Sequence, residues 1–276
     1  MRRVKLTLVG AGPGDPDLIT VKGLKAIADA DVILYDALAH PDLLKFAPAR
    51  AIKLFVGKKR GVCQFAQEDI NRLIVENALK YGHVVRLKGG DPFIFGRGHE
   101  EIVHAQAFNI ETEVIPGISS SISVPELQQI PLTRRGVNDS FWVLTGTTRH
   151  HELSADIENA ARSNATVVIL MGMTKLQEIT EIFKKEGKGK TAVAIIQNGT
   201  LPEEKYALGT IDTIFEIAAA EELSSPAIIV IGDVVTLHPE WITEKVREMH
   251  LPIEEKGKTF SQSRVKNFYN IFLRRK

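Results

Sequence analysis

The sequence predicts an α/β fold in two parts, each built on its own sheet. Short apolar runs rich in β-branched residues alternate with longer amphipathic runs through residues 1–116, as in a parallel sheet covered by helices. A second series of strands follows residues 116–136, a stretch that contains three prolines. Because 276 residues can bury two separate cores, we expect two α/β domains with a hinge inside that stretch.

The first predicted domain covers residues 1–118. Its expected strands are 5–9, 31–36, 51–56, 83–88 and 111–116, and its expected helices are 20–29, a short piece near 41–46, 67–81 and 98–108. In the segment QEDINRLIVENALKYG, the apolar residues Ile70, Leu73, Ile74 and Leu79 recur close to the helical period. Gly82 is expected to end that helix as its C-terminal cap.

The second predicted domain covers residues 119–240. Its expected strands are 141–146, 165–172, 191–199 and 226–235, with helices near 174–186 and 211–221. Residues 241–276 form a basic tail, whose last twenty-one residues include seven basic side chains and no acidic one. A basic helix that binds RNA or a partner is one interpretation, but we favour a solvated tail or a helix packed on the body.

Composition narrows the class of protein. A formal net charge of +1 provides no overall field for nucleic acid or an anionic membrane, so any anion-binding surface must be local. The single cysteine, Cys63, excludes an internal disulfide, and we interpret it as incidental rather than as a nucleophile. No apolar run is long enough for a signal sequence or a membrane span, so we expect a cytoplasmic enzyme.

The first strand runs directly into the loop VGAGPGDPDLIT, residues 9–20. Gly10 and Gly12 match the first two glycines of the dinucleotide-binding fingerprint, but Asp15 stands where the third glycine is needed. A carboxylate at that point would repel a pyrophosphate, which disfavours an NAD-dependent oxidoreductase. The chain also lacks the G-x-x-x-x-G-K-S/T motif of a P-loop.

A second glycine-rich loop, RLKGGDPFIFGRGHEE, spans residues 86–101 at the end of the fourth predicted strand. Phe93 and Phe95 flank its turn. They are interpreted either as contacts to a ligand or as core residues. A third loop, PGISSS, follows the fifth strand. Ligands of parallel α/β sheets bind at the carboxyl ends of the strands, where the three loops are expected to meet. Their amides, hydroxyls and apolar surfaces suit an adenosine with a cationic sulfonium better than a polyphosphate.

Ten segments carry a resemblance to a known family. VGAGPGDPDLITVKGL, DVILYDAL, VGKKRG, QEDIN, VVRLKGGDPFIFGRG, PGISSS and IPLTRRG occur in that order, followed by VVILMGM, AIIQNGT and SPAIIVIGDVV. Over residues 4–237 the chain resembles the S-adenosylmethionine-dependent uroporphyrinogen-III C-methyltransferases. The resemblance implies two α/β domains of the tetrapyrrole methyltransferase type, an active-site cleft between them and a homodimer. It also implies methylation of two pyrrole carbons of uroporphyrinogen III, giving precorrin-2 by way of precorrin-1, in sirohaem or cobalamin biosynthesis.

The resemblance also assigns site residues. Asp36 matches the proton acceptor and Lys58 the proton donor, while Arg97 and Glu100 match residues of substrate binding or catalysis. Nine residues match contacts to S-adenosylmethionine: Pro13, Gly89, Gly90, Asp91, Ile94, Ser119, Ser120, Met171 and Gly199. Without the resemblance, Asp36 would be interpreted as a helix cap before ALAHPDLL. Several positions depart from the family pattern: His99 replaces glycine, Arg134 histidine and Leu170 tyrosine, and serines fill PGISSS where many relatives have Thr-Ala or Ser-Ala.

A substrate with eight carboxylates calls for a local basic pocket. Its expected residues lie in strand-end loops and in the hinge: Lys58, Lys59, Arg60, Arg86, Lys88, Arg97, Arg134 and Arg135. A sulfonium donor needs no metal, and no set of side chains has the spacing of a zinc site. The alternatives are a methyltransferase of the same fold that acts on a later corrin precursor or on rRNA ribose, the oxidoreductase already disfavoured, and a binding module without chemistry. Nucleic acid and membrane partners are not expected.

Overall fold

The computed structural model describes residues 4–57 and 65–248. These residues divide into two compact units. The first unit comprises the described residues up to Val124 together with Asn198–Glu204, and the second comprises 125–197 and 205–248. The domain limits 1–118, 119–240 and 241–276 stay sequence-based predictions, and most of the predicted tail lies outside the described residues.

The first unit contains a five-stranded sheet in which every strand pair is parallel. The strands are β1 (Lys5–Gly10), β2 (Val32–Tyr35), β3 (Ile52–Phe55), β4 (His83–Lys88) and β5 (Glu111–Ile115), in the order β3-β2-β4-β1-β5. All five match predicted strands within two residues at either end. Since β1 lies between β4 and β5, the loops that follow these three strands leave the sheet side by side.

Four helices belong wholly or in part to this unit: α1 (Val21–Ala28), α2 (Gln67–Tyr81), α3 (Gly98–Gln106) and α4 (Ser120–Leu127). Two short 3-10 helices, Pro16–Leu18 and Pro41–Phe46, follow β1 and β2. The predicted helix 67–81 is confirmed with both its limits, and Gly82 caps it with φ 115°, a conformation that glycine adopts readily. The prediction omitted α4, which lies inside the expected hinge.

Both faces of the first sheet are buried. On one face Leu6, Leu8 and Val84 pack with apolar residues of α2 and α3. On the other, Val85 and Leu87 pack with apolar residues of α1 and the following loops. Successive residues of a strand point to opposite faces, so strands apolar throughout require cover on both sides. Arg86 and Lys88 interrupt this pattern in β4, and they are buried nonetheless.

The second unit contains a mixed sheet in the order β6-β7-β10-β8-β9, in which only β6 and β7 are parallel. Its strands are β6 (Phe141–Thr145), β7 (Thr166–Leu170), β8 (Ala192–Gln197), β9 (Lys205–Thr210) and β10 (Ala227–Ile231), and its further helices are α5 (Asp156–Arg162), α6 (Leu176–Lys185), α7 (Ile214–Ala220) and α8 (Pro239–Glu248). The sequence prediction missed β9, α5 and α8. β9 has the sequence KYALGT and lies at the sheet edge, so it lacks the apolar run of a central strand.

The second unit has its own core, in which Phe183, Ile195 and Ile229 are fully or almost fully buried. The α/β class and the two sheets expected from the sequence are therefore confirmed. Among residues 4–57 and 65–248, no helix has the length and apolar character needed to cross a bilayer.

Candidate active site

The glycine-rich loops that follow β1 and β4 are hydrogen-bonded to each other. The amide of Ala11 donates to the carbonyl of Lys88 at 2.7 Å, and the amide of Gly90 donates to the carbonyl of Gly12 at 2.7 Å. The amide of Gly12 donates back to the carbonyl of Gly90 at 3.3 Å. The two loops that the sequence singled out thus form one continuous surface at the carboxyl edge of the sheet.

Three glycines bring the loop after β5 onto this pair. A Cβ atom built on Gly117 would lie 2.2 Å from the carbonyl oxygen of Gly90 and 2.6 Å from the Cα of Gly10. A Cβ on Gly10 would lie 2.4 Å from the Cα of Gly117. Because these neighbours are backbone atoms, they cannot move aside as a flexible side chain can. Glycine at positions 10 and 117 is therefore a packing requirement.

Asp91 connects the same loops through its side chain. Its Oδ1 accepts a hydrogen bond from the amide of Phe93 at 2.8 Å, and its Oδ2 accepts one from the amide of Gly117 at 3.0 Å. The carboxylate thus shapes its own turn and holds the loop that follows β5. The resemblance assigns Asp91 to the cofactor, and the structure adds this scaffolding contact.

The loop PGISSS leads into α4 through a cluster of hydroxyl groups. The Oγ of Ser119 accepts from the amide of Ser121 at 3.3 Å and lies 2.8 Å from the Oγ of Ser121. The hydroxyl of Ser123 donates to the carbonyl of Ser119 at 3.0 Å. Ser119 is buried and Ser120, the first residue of α4, is half-buried.

The segment Asn198–Glu204 also belongs to the first unit and contacts the loop after β1. The amide of Asp15 donates to Oγ1 of Thr200 at 2.8 Å. A Cβ on Gly199 would lie 2.4 Å from a methyl group of Val124, so this glycine packs directly on α4. Pro13, which precedes these contacts in the first loop, is half-buried.

Asp15, which broke the dinucleotide fingerprint, has a local structural role. Its Oδ1 accepts a hydrogen bond from the amide of Asp17 at 2.9 Å and so caps the 3-10 helix Pro16–Leu18. The loop therefore turns into a short 3-10 helix at the point where a dinucleotide-binding loop would enter a long helix. The oxidoreductase alternative is not favoured.

Asp36 lies just beyond the end of β2. Its Oδ1 accepts from the amides of Leu38 at 3.2 Å and Gly89 at 3.4 Å, and its Oδ2 lies 3.4 Å from Nη2 of Arg86. The side chain stays 24% exposed. The cap of the helix at Pro41–Phe46 is His40, so the helix-cap interpretation of Asp36 is wrong.

Arg97 and Glu100 form an exposed pair. The guanidinium donates to both carboxylate oxygens, through Nε at 2.9 Å and Nη2 at 2.6 Å. These hydrogen bonds raise the pKa of Arg97 and lower the pKa of Glu100. Arg97 adopts φ 57°, a left-handed conformation that is uncommon outside glycine. A guanidinium has five N–H donors and Glu100 uses two of them, so this exposed side chain can also bind a carboxylate of the substrate.

The apolar residues of the same loop are exposed. Phe93, Ile94 and Phe95 are each more than 40% accessible to solvent, so the interpretation of the two phenylalanines as core residues is wrong. The chain folds back tightly around them, since the amide of Gly98 donates to the carbonyl of Pro92 at 3.1 Å. An apolar ligand surface is consequently available next to Asp91.

Two further expected site residues are outside the first unit as it is described: one is outside the described residues and the other belongs to the second unit. Lys58, the expected proton donor, falls in residues 58–64 together with Lys59, Arg60 and Cys63, outside the described residues. Met171 lies in the second unit, exposed and with φ 55°, and its carbonyl accepts a hydrogen bond from the hydroxyl of Thr147 at 2.9 Å.

Arg86 and Lys88 differ from the expectation of a basic pocket. Both side chains are buried, and both contact the carboxylate of Glu101 on α3, at 3.2 Å and 3.1 Å. Sequence reasoning missed Glu101, because its neighbour Glu100 matched the family motif. The available signal was the period of two that places Arg86 and Lys88 on one face of a buried strand. Within the described part of the chain, no group of three or more His, Cys, Asp or Glu side chains is arranged to hold a metal ion.

Comparisons with known proteins identify the family of the chain. A family model described as Tetrapyrrole (Corrin/Porphyrin) Methylases matches residues 5–214. The chain is 47% identical over 235 residues to the uroporphyrinogen-III C-methyltransferase of Methanocaldococcus jannaschii, covering 84% of this chain and 97% of that protein. It is 43% identical to the siroheme synthase of Actinobacillus succinogenes, where the match covers 87% of this chain but 51% of the longer protein.

A solved structure gives the same result. The uroporphyrin-III C-methyl transferase of Thermus thermophilus, complexed with S-adenyl homocysteine, superposes with a TM-score of 0.72 at 34% identity, covering 84% of this chain and 99% of that one. The family match and this superposition identify the two α/β units as those of a tetrapyrrole methyltransferase. The chain belongs to the tetrapyrrole methylase family and, within it, to the uroporphyrinogen-III C-methyltransferases.

Proposed function

We propose that this methyltransferase transfers two methyl groups from S-adenosylmethionine to pyrrole carbons of uroporphyrinogen III, giving precorrin-2 by way of precorrin-1. The observation that carries the proposal is the meeting of the loops after β1, β4 and β5, with Asp36 in contact with the amide of Gly89. The names of similar relatives support the substrate, and the complex of the Thermus protein with S-adenyl homocysteine supports the cofactor.

The described loops fit such a cofactor. Gly90 has φ 63°, and among the described residues a Cβ built on it would meet only the amide nitrogen of Ser120 within 4 Å, at 3.9 Å. The backbone of Gly90 therefore borders open space in which a ligand can approach closely. When bound, S-adenosylmethionine supplies an electrophilic methyl group. The residues proposed to hold it are Pro13, Gly89, Gly90, Asp91, Ile94, Ser119, Ser120, Gly199 and, from the second unit, Met171.

Asp36 is the proposed proton acceptor. Methylation of a pyrrole carbon leaves a proton that a base must remove, and a carboxylate is suited to this step when it is held still and remains accessible. Two amides and Arg86 hold the carboxylate of Asp36, and part of its surface stays open. Lys58, the proposed proton donor, lies outside the described residues. Arg97 and Glu100 are proposed to bind the substrate or assist the reaction, with substrate carboxylates competing for the guanidinium.

Three further features belong to the proposal: a homodimer, a cytoplasmic location and a role in sirohaem or cobalamin biosynthesis. Relatives named siroheme synthase support the pathway, and the family resemblance supports the dimer. Sedimentation equilibrium of the purified chain measures the dimer directly, and a monomer at micromolar concentration would contradict it. Imaging of a tagged chain in its own cells tests the location, and deletion of its gene tests the pathway, with sirohaem and cobalamin as the measured products.

The decisive experiment is an anaerobic assay of uroporphyrinogen III and S-adenosylmethionine with a mass count of the product. We expect a product heavier by two methyl groups. For Asp36→Asn we expect at least about a hundredfold loss of turnover, the scale of general-base catalysis, with S-adenosylhomocysteine affinity retained. Asp42→Asn changes an exposed aspartate in the following 3-10 helix and serves as the matched control.

Other outcomes would contradict parts of this assignment. S-adenosylhomocysteine binding without methylation of uroporphyrinogen III would indicate another substrate for the same fold. Binding of NADH without S-adenosylmethionine binding would restore the oxidoreductase alternative. Near-normal turnover of Asp36→Asn would show that the proton goes to another group.

A further inference from the structure

The fourth strand contributes two buried cations that the proposed reaction does not use directly. Arg86 and Lys88 are two residues apart on β4, so their side chains lie on the same face of the sheet. The exposed fraction is 3% for Arg86 and 4% for Lys88. Arginine and lysine are almost never buried to this extent without a charged partner. Such an arrangement requires an anion inside the unit.

Glu101 on α3 is that anion. Its side chain is 0% exposed, and its Oε1 accepts hydrogen bonds from Arg86 Nε at 3.2 Å, Lys88 Nζ at 3.1 Å and Gln67 Nε2 at 3.2 Å. Within the described residues its Oε2 has no hydrogen-bond partner. Burial lowers the pKa of Lys88, the nearby charge of Arg86 lowers it further, and Glu101 opposes both effects. The three donors on Oε1 fix this buried carboxylate in place, and it in turn anchors the side chains of Arg86 and Lys88.

The anchored arginine reaches Asp36 on its other side. Arg86 Nη1 donates to the carbonyls of Leu87 at 2.9 Å and Leu34 at 3.4 Å, while its Nη2 lies 3.4 Å from Asp36 Oδ2. The guanidinium is thus held from several directions, and the contact to Asp36 is longer than that to Glu101. Arg86 thus contacts both carboxylates and Lys88 contacts Glu101, and the more exposed carboxylate, Asp36, has the longer contact.

We propose that Glu101 is a positioning residue for the methylation reaction. By holding Arg86 and sharing the charge of Lys88, it leaves Asp36 with one long contact to the arginine. The carboxylate of Asp36 then keeps a fixed place beside the amide of Gly89 without being drawn into a tight ion pair, which would make it a poorer base. This inference rests on the proposed function, in which Asp36 takes the proton.

Removal of the charge at Glu101 redistributes these contacts. In Glu101→Gln the shape is retained, but Asp36 becomes the remaining carboxylate in contact with Arg86. The guanidinium then turns towards Asp36 and forms a tight ion pair with it, which makes the carboxylate a poorer base. The residues assigned to the cofactor are unchanged in this variant, so its effect is expected on turnover and not on cofactor affinity.

The test compares Glu101→Gln with Glu113→Gln. Glu113 on β5 is also a carboxylate with two cationic partners, Lys5 at 2.6 Å and Lys22 at 2.5 Å, but it contacts none of the proposed site residues in the described structure. We expect kcat for uroporphyrinogen III methylation to fall at least about tenfold in Glu101→Gln, while the dissociation constant of S-adenosylhomocysteine stays within about twofold. In Glu113→Gln both values are expected to stay within about twofold of the wild type. If Glu101 contributed to stability alone, Glu101→Gln would lower the melting temperature without lowering kcat selectively while cofactor affinity is retained.

A second variant covers the case in which Glu101→Gln does not fold. Lys88→Met combined with Glu101→Gln removes one buried cation and one buried anion, so the remaining Arg86 and Asp36 are balanced. This double variant still lacks the anchor, and we expect the same loss of kcat with affinity retained. Near-wild-type kcat in either folded variant overturns the inference while leaving the proposed function intact. Failure of the wild-type chain to methylate uroporphyrinogen III overturns the proposed function, and the positioning role with it.

Discussion

The carboxylate of Asp91 joins the loop after β4 to the loop after β5, because its Oδ2 accepts a hydrogen bond from the amide of Gly117 at 3.0 Å. Its other oxygen accepts from the amide of Phe93 at 2.8 Å within its own turn. One side chain therefore ties together two of the three loops of the candidate active site. The relationship suggests that the aspartate of this motif is needed for the shape of the site as well as for any ligand contact.

Asp91→Asn tests this bridging role. Asparagine has one acceptor oxygen, so one of the two amides would face an NH₂ group and lose its partner. We expect a loss of about 1 to 3 kcal/mol in the free energy of unfolding, the cost of leaving a donor unpaired. S-adenosylhomocysteine affinity is expected to fall about tenfold, as measured by calorimetry. Asp17→Asn, in the exposed part of the first loop, is the control, and equal effects of the two changes would contradict the bridge.

Gly117→Ala tests the backbone packing of the loops. The new methyl group would overlap the carbonyl of Gly90 and the Cα of Gly10, so the loops must separate. We expect the free energy of unfolding to fall by about 3 kcal/mol, the scale of an overpacked core. Chemical denaturation measures it. Gly136→Asn is the control, because a Cβ built there meets no described atom within 4 Å outside its chain neighbours and asparagine tolerates its φ of 80°. Unchanged stability and cofactor affinity in Gly117→Ala would refute the packing argument.

Arg97→Ala tests whether the ion pair of Arg97 with Glu100 is needed for turnover or only for stability. The pair with Glu100 is exposed, and alanine keeps the same Cβ in the left-handed conformation, so unfolding should change by less than about 1 kcal/mol. Turnover of uroporphyrinogen III is nevertheless expected to fall at least about tenfold, because a substrate carboxylate loses its guanidinium. Arg72→Ala removes a similar exposed pair with Asp69, three residues away on α2, and should leave turnover unchanged. Normal kinetics in Arg97→Ala would remove this residue from the proposed site.

The lowered pKa of Glu113 leads us to expect that the stability of the protein depends on pH. Hydrogen bonds from Lys22 and Lys5 lower its pKa from 4.5 to about 2. Because the folded state favours the ionised carboxylate, the stabilisation is fully present above about pH 4.5 and is lost as the pH falls towards 2. We expect Glu113→Gln to lose about 1 kcal/mol at pH 7, discounted for partial exposure, and to approach the wild type near pH 2. Urea unfolding across this range measures the difference, and a gap that does not change with pH would be inconsistent with this account.

Much of the fold could be predicted from local patterns. The strands of the first unit are short apolar runs bounded by turns, and helix 67–81 has both a clear period and a glycine cap. The missed elements had weak local signals: β9 is half-polar at a sheet edge, and α4 contains Pro125 within a stretch that looked like a hinge. A helix that is stabilised mainly by tertiary packing cannot be predicted from the helix propensity of its residues alone.

By itself, the sequence determined the chemistry available at the site: the glycines of both loops, Asp36 at a strand end and the Arg97–Glu100 pair three residues apart. Only the tertiary structure decided how these groups are used. It placed Gly10 against Gly117, joined Asp91 to a loop 26 residues away, and buried Arg86 against Glu101. Such contacts depend on the strand order and on which face a helix covers, and neither is encoded in the spacing of residues along a single segment.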